Sequence, residues 1–249
     1  MPVSDLIKKF DKNQRPTDSI RASDNKEQAK HIEFYGSKKR EYKEQKDKHL
    51  NIEVKDFEKF LQDNADFYKE INEYEARSIR LYTQHKYEDY NYFLREGKMK
   101  NKVRYSLKES TDNLKNVLEN FPNYEGIVYR GSVMDMSFLN KLKDDDVIFD
   151  PAFLSTSVKL EAAKKFSNKI NVSQDVSKYI MILDVIHGKL LATEELSLHS
   201  ANEFEVLLLP ETRVKITNID RRGTVTYIYG KEIEEKKVGD KNIYQKISN

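Results

Sequence analysis

Three short motifs in this chain set reactive side chains at spacings that chemistry can use. The first is Glu203-Phe204-Glu205, followed by the apolar run Val206-Leu207-Leu208-Leu209 and stopped by Pro210. In a strand, alternate residues point to one face, so the spacing predicts both carboxylates side by side with Phe204 turned into the core. Adjacent carboxylates repel, which usually raises the pKa of one. A reaction that builds positive charge on a sugar uses such a pair, one carboxylate to steady the charge and one to handle a proton. The second motif is Ser155-Thr156-Ser157. Its alternate hydroxyls, 155 and 157, share a strand face and can fix the rotamer of a carboxylate by hydrogen bonding. The third is Tyr129-Arg130-Gly131. Here an apolar strand ends in a planar, permanently charged fork suited to phosphate, before a glycine that lets a ligand approach the backbone. Taken singly, each motif also fits a plainer role: two solvent-facing glutamates, turn hydroxyls, and a strand-end arginine in a surface ion pair. Their order and spacing along one chain are more specific than any one of them.

The elements that must position these motifs follow from hydrophobic periodicity. Phe57, Phe60, Leu61, Asn64, Phe67, Tyr68 and Ile71 recur at helical steps. Further helices are predicted over Glu75–Tyr82, over Tyr87–Arg95 with Gly97 as the terminating residue, and over Thr111–Asn120 with Ser110 as N-cap. After Pro122 the period shortens to two. Strands are expected at Gly126–Arg130, Val147–Phe149, Ala152–Thr156, Tyr179–Ile186, Glu203–Leu209, Arg213–Ile219, Thr224–Gly230 and Asn242–Ile247, with one helix at Lys159–Ser167 between them. The fold class is α+β. Residues 1–50 read as a charged arm, partly disordered or helical. Residues 51–249 form one domain, with a helical part over 51–120 and a β-rich core over 121–249.

Composition narrows the chemistry. The 249 residues carry 44 Lys and Arg against 42 Asp and Glu, a formal charge of +2. That balance does not mark a general nucleic-acid binder. The arm holds 13 basic and 9 acidic residues. With no cysteine, disulfides, thiolate zinc sites, iron–sulfur clusters and cysteine nucleophiles are excluded. The five histidines, 31, 49, 85, 187 and 199, lack metal-ligand spacing, so no metal is expected. No run approaches the roughly 20 apolar residues of a membrane span. Met1 to Phe10 contains no apolar stretch of a secretory leader.

Taken together, the motifs resemble the Arg/Ser-Thr-Ser/Glu-x-Glu class of the ADP-ribosyltransferase superfamily, in particular the bacterial exoenzyme toxins and the enzymatic components of clostridial binary toxins. The likeness covers about residues 70–249. It extends to Tyr82-Thr83, Tyr87, Asn91 and Leu94-Arg95 in the helical part, and to Phe166, eleven residues after Ser155. Tyr87 and Asn91 share a helix face. The tyrosines also suit amphipathic packing, and Phe166 also suits the core of its helix. Three positions depart from the family pattern: Gly131 in place of a second arginine, Ala152 in place of an asparagine, and Lys169 in place of an arginine.

The resemblance implies helices packed on a two-sheet mixed β core, and cleavage of the nicotinamide–ribose bond of NAD without a metal. It implies that Arg130, Gly131, Tyr82, Tyr87, Asn91, Ser155, Thr156, Phe166, Lys169 and Glu205 line the NAD site. In that reading Ser155 orients Glu205, Glu205 serves the ribose, and Glu203 orients an incoming guanidinium. Glu-x-Glu goes with arginine acceptors in this family. The implied function is mono-ADP-ribosylation of an arginine on a host protein, actin or another, with NAD glycohydrolase activity beside it. The implied setting is a monomeric toxin or effector, secreted or delivered into a host cell. The loop 196–202, including His199, would face the protein substrate. The alternatives are a glycohydrolase with water as acceptor, a non-catalytic module that keeps the fold, and a glycosidase. The last is disfavoured, because glutamates at i and i+2 do not flank a glycosidic bond from opposite sides.

Overall fold

The computed structural model describes residues 57, 59–97, 107–169, 176–191, 196–197, 204–221, 223–234 and 242–244, without the side chains of His85, Lys169 and 242–244. The expected arm 1–50, Glu203 and most of the loop before it lie outside the described residues. The chain divides into two units, Met1–Asp66 and Phe67–Asn249. In the first, Phe57 and Leu61 are buried. The Asn64 side-chain amide donates to the Phe60 carbonyl at 2.8 Å, and a turn at Asn64 breaks the predicted helical stripe. An asparagine that binds the local backbone competes with the helix ladder. A short helix, α1 (Ala65–Glu70), follows.

In the second unit, α2 (Glu73–Leu81) starts at a capping box. The Asn72 side chain accepts from Glu75 N, and Glu75 accepts from Asn72 N, both at 3.0 Å. A π-turn, Tyr82–Lys86, joins it to α3 (Tyr87–Glu96). The helix α3 stops at Gly97 in the left-handed region, φ +64°, where glycine has no Cβ to clash. Helix α4 (Leu107–Glu119) buries Thr111, Leu114, Val117 and Leu118. It begins ahead of Ser110, so the expected cap lies inside the first turn instead.

The β core is one hydrogen-bonded network of eight strands among the described residues. They are β1 (Asn123–Asp135), β2 (Val147–Phe149), β3 (Leu154–Ser157), β4 (Val176–Leu190), β5 (Glu205–Leu208), β6 (Arg213–Asp220), β7 (Val225–Ile233) and β8 (Asn242–Tyr244). Helices α5 (Met136–Leu139) and α6 (Leu160–Lys169) lie between them in sequence. Strand order is β1-β3-β5-β4-β7-β6-β2-β8, and β1 also pairs directly with β4. The expected two sheets are therefore joined: β1, β3, β5 and β4 close a ring, and β4 carries the rest. The sheet is mixed as expected, because β4 pairs β7 and β2 pairs β8 in parallel while the others run antiparallel. The long ladder from Asn123↔Lys189 to Asp135↔Val176 is the spine. It exceeds the predicted strands at both ends, because cross-strand pairing holds polar residues that a period-two pattern misses.

Helix α6 packs on that spine through Leu160 and Ala163 against Tyr129, Ile180 and Tyr227. The approach is close. A Cβ on Gly131 would stand 1.8 Å from the Ala163 carbonyl oxygen. A glycine after Arg130 suggests an opening for a ligand, but the space its side chain would fill is taken by the helix backbone.

Candidate active site

The three motifs meet where β1, β3 and β5 lie side by side. In the β3–β5 ladder Ser155 pairs with Leu207 and Ser157 with Glu205. Ser155 and Glu205 are thus diagonal neighbours on one face, within reach of short side chains. The Ser155 hydroxyl donates to Glu205 Oε1 at 2.6 Å. That is a short, charge-assisted bond of the kind that fixes a carboxylate. Arg130 comes from β1, and its Nη1 donates to the Ser155 carbonyl at 2.7 Å. All three side chains are half-buried. Thr156 faces the other way: it is buried, and its hydroxyl donates to the Val206 carbonyl at 2.6 Å. Its side chain ties β3 to β5 instead of joining Ser155 at the site face. Ser157 accepts from Lys159 N at 2.9 Å and so steers the chain into α6.

The expected placing of Glu203 beside Glu205 falls on a residue outside the described ones. Strand β5 begins at Glu205, and Phe204 is left-handed with φ +45°. Such a value is strained for a bulky residue and breaks the two-residue alternation. The Phe204 ring is fully buried, as predicted, and its carbonyl accepts from Val158 N at 3.3 Å. The Lys159 ammonium lies 4.3 Å from the ring centroid. Burial lowers the Lys159 amine to about 8, with Glu161 opposing the shift.

The helices supply one wall. Tyr82 is 1% exposed, and its ring meets Phe153 edge-on at 5.2 Å. Asn91 Nδ2 donates to the Tyr82 hydroxyl at 3.1 Å. Burial, reinforced by the Glu205 charge, pushes the Tyr82 phenol far above its ordinary value, so it stays protonated. Tyr87, after the π-turn, is 48% exposed. The extra residue of the π-turn shifts the helical register, turning Tyr82 inward and leaving Tyr87 open. Phe166 sits on α6 and is 41% exposed, so it is not the core residue of its helix. Lys169 ends α6.

Beneath Arg130 lies an ion pair that the sequence reading did not foresee. Arg95 grips Asp150 with both prongs, Nε to Oδ1 at 2.9 Å and Nη2 to Oδ2 at 2.6 Å. Both side chains are deeply buried, 7% and 2% exposed. Asp150 also accepts from Ala152 N at 3.0 Å, which turns the chain ahead of β3 and delays its start to Leu154. Burial works against the Arg130 charge. The Tyr179 phenol, Asp150 and Tyr82 outweigh it and raise the guanidinium pKa. Arg130 Nε and the Tyr179 hydroxyl are both buried; they lie close enough to interact with each other, and neither makes a hydrogen bond of good geometry among the described residues. Arg95 was visible only as half of a Leu-Arg motif, and Asp150 only as the residue before a proline; their pairing spans 55 positions.

The model of the ADP-ribosyltransferase exoenzyme family matches residues 57–240. The chain belongs to this family. A protein of Vibrio splendidus (strain 12B01) named for NAD(+)–arginine ADP-ribosyltransferase activity, Vis, is 38% identical over 115 residues. The match spans 46% of each, so the chain spans about half the length of that curated relative. The crystal structure of Vis in complex with agmatine is similar at 29% identity and a TM-score of 0.58, covering 70% of this chain and 79% of that one. The ADP-ribosylating toxin BECa of a C. perfringens binary enterotoxin, solved with NADH, shares the fold at 19% identity and a TM-score of 0.53, over 72% of this chain and 48% of that one. The α+β architecture is that of an ADP-ribosyltransferase, as the motifs implied. Among the described residues no His, Asp or Glu group is placed to hold a metal, and no helix is long and apolar enough to cross a membrane.

Proposed function

We propose that this member of the exoenzyme family transfers ADP-ribose from NAD to the guanidinium of an arginine on a target protein. The observation that carries this is the Ser155–Glu205 hydrogen bond of 2.6 Å, backed by Arg130 on the neighbouring strand. Glu205 is held in one rotamer, and its carboxylate accepts from the nicotinamide-ribose 2′-hydroxyl. A fixed carboxylate offsets positive charge growing on the ribose as the C1′–nicotinamide bond lengthens, and it needs no reorganisation at that moment. Arg130, tied to the Ser155 carbonyl through Nη1, holds phosphate by its charge, while Tyr87 and Phe166, both exposed, offer ring faces to NAD. Tyr82 and Asn91, a bonded pair, complete the surroundings of that site, and Lys169 is assigned to it from its place in the sequence. Glu203 orients the guanidinium, whose pKa above about 12 demands a carboxylate partner as it attacks. Support for arginine comes from the Glu-x-Glu sequence and from the agmatine complex of the similar Vis structure. Host-protein modification, secretion and a glycohydrolase side reaction follow from the same reading.

The test is nicotinamide release from NAD, with and without agmatine, for wild type, Glu205→Ala and Glu203→Ala. Release that requires Glu205, with labelled agmatine formed only when Glu203 is present, is the expected outcome. Glu205-dependent release without labelling would assign a glycohydrolase. Transfer that survives Glu203→Ala would overturn the role given to Glu203.

A further inference from the structure

Strands β1 and β4 pair Arg130 with Met181 and Ser132 with Tyr179. Alternate residues share a face, so Arg130, Ser132, Tyr179 and Met181 stand on one side of the spine. The other side carries Tyr129 and Ile180 and receives α6. Tyr179 is thus the diagonal neighbour of Arg130 across the ladder, within reach of a long side chain. It is fully buried, whereas Arg130 is half-buried. Its phenol lies close to the guanidinium and to Ser132, within the field of Asp150.

The ring alone would serve packing. A phenylalanine would fill the same space, and a buried hydroxyl costs free energy unless it is used. Burial raises the phenol above its ordinary value, with Asp150 adding to the shift and Arg130 and Ser132 opposing it. The hydroxyl therefore keeps its proton at neutral pH. A neutral phenol can accept on its oxygen and donate its proton at the same time. Arg130 has one firm anchor, the Ser155 carbonyl at 2.7 Å from Nη1. A planar fork held at one point can still swing, and a second hold at Nε fixes its plane. Arg130 Nε is buried beside the phenol. Contacts of this kind often align fully only when substrate is bound.

We propose that Tyr179 is a positioning residue for NAD binding: its hydroxyl takes the Nε–H of Arg130 and, together with the Ser155 carbonyl on Nη1, holds the guanidinium plane toward the diphosphate. Ser132 takes the phenol proton and sets its direction. The inference rests on the reading of Arg130 as the phosphate-holding residue. The diphosphate is remote from the bond that breaks. A contact made equally before and during cleavage changes affinity and leaves kcat alone.

The experiment follows the fluorescence of NADH, which keeps the diphosphate, to measure its binding by wild type, Tyr179→Phe, Arg130→Lys and the Tyr179→Phe/Arg130→Lys double variant. KM and kcat for nicotinamide release from NAD, and the thermal midpoint, are measured for each. Tyr179→Phe should weaken NADH binding about tenfold, the worth of a hydrogen bond to a charged group. KM for NAD should rise by a like factor, with kcat within about twofold of wild type. The thermal midpoint should match or exceed that of wild type, because a buried hydroxyl is removed without changing the ring. Arg130→Lys should weaken NADH binding as well, and adding Tyr179→Phe should weaken it no further. Unchanged NADH affinity in folded Tyr179→Phe, a lowered thermal midpoint with KM unmoved, or independent losses in the double variant would overturn the proposal. If Arg130→Lys binds NADH as tightly as wild type, the reading of Arg130 as the phosphate holder fails instead.

Discussion

Ser155 and Glu205 face each other diagonally across the β3–β5 ladder, and the serine hydroxyl closes that diagonal at 2.6 Å on Glu205 Oε1. The ladder sets the distance and the hydroxyl sets the rotamer. The carboxylate is thereby presented to the site face with one oxygen committed to protein.

Ser155→Ala keeps the strand and removes the bond. A hydrogen bond to a charged group is worth about 1.5–3 kcal/mol. The loss should appear in kcat for nicotinamide release, about ten- to a hundredfold, with unfolding in urea little changed.

Asp150 balances two guanidinium groups, Arg95 directly and Arg130 through its field. Asp150→Asn preserves shape and removes the charge that Arg95 grips with both prongs. Breaking such a pair from one side costs about 3–5 kcal/mol. Urea unfolding should register that loss even without NAD.

Gly131→Ala would force a Cβ against the Ala163 carbonyl, which stands 1.8 Å from its ideal position. The obstacle is backbone on both sides, so α6 must lift from β1. A destabilisation of about 2 kcal/mol or more is expected by chemical denaturation. A neutral outcome would mean that the helix does not seat as described.

Lys159 gives stability a pH signature. Its folded-state value of about 8 lies below the ordinary 10.5. Between those values the unfolded chain keeps a proton that the folded chain has released, so stability rises with pH across that window. Wild type should therefore gain on Lys159→Met as pH is raised from about 8 to about 10. Paired unfolding curves at those two values measure it, and an identical pH response in both proteins would contradict the shift.

The sequence by itself determined the family and the helix-then-strand order, and its motifs singled out Arg130, Ser155 and Glu205. Those are local facts: motif residues, apolar periods, and punctuation by Gly97 and Pro122. What it did not determine were relations between distant segments. Strand periodicity places Phe204 within a strand, and only the fold shows that it is left-handed and that β5 starts at Glu205. A glycine after Arg130 suggested ligand access, and only the packing of α6 on β1 showed a helix carbonyl in that space. Thr156 belonged to the motif, and its direction into the sheet emerged from the register of β3 on β5. Arg95 and Asp150 carry no mutual signal along the chain, because 55 residues separate two side chains that meet only after the helical part docks on the β core. Local residue types fix which chemistry is available. Burial and long-range pairing decide which of those groups face the site, because both depend on segments that are neighbours only in space.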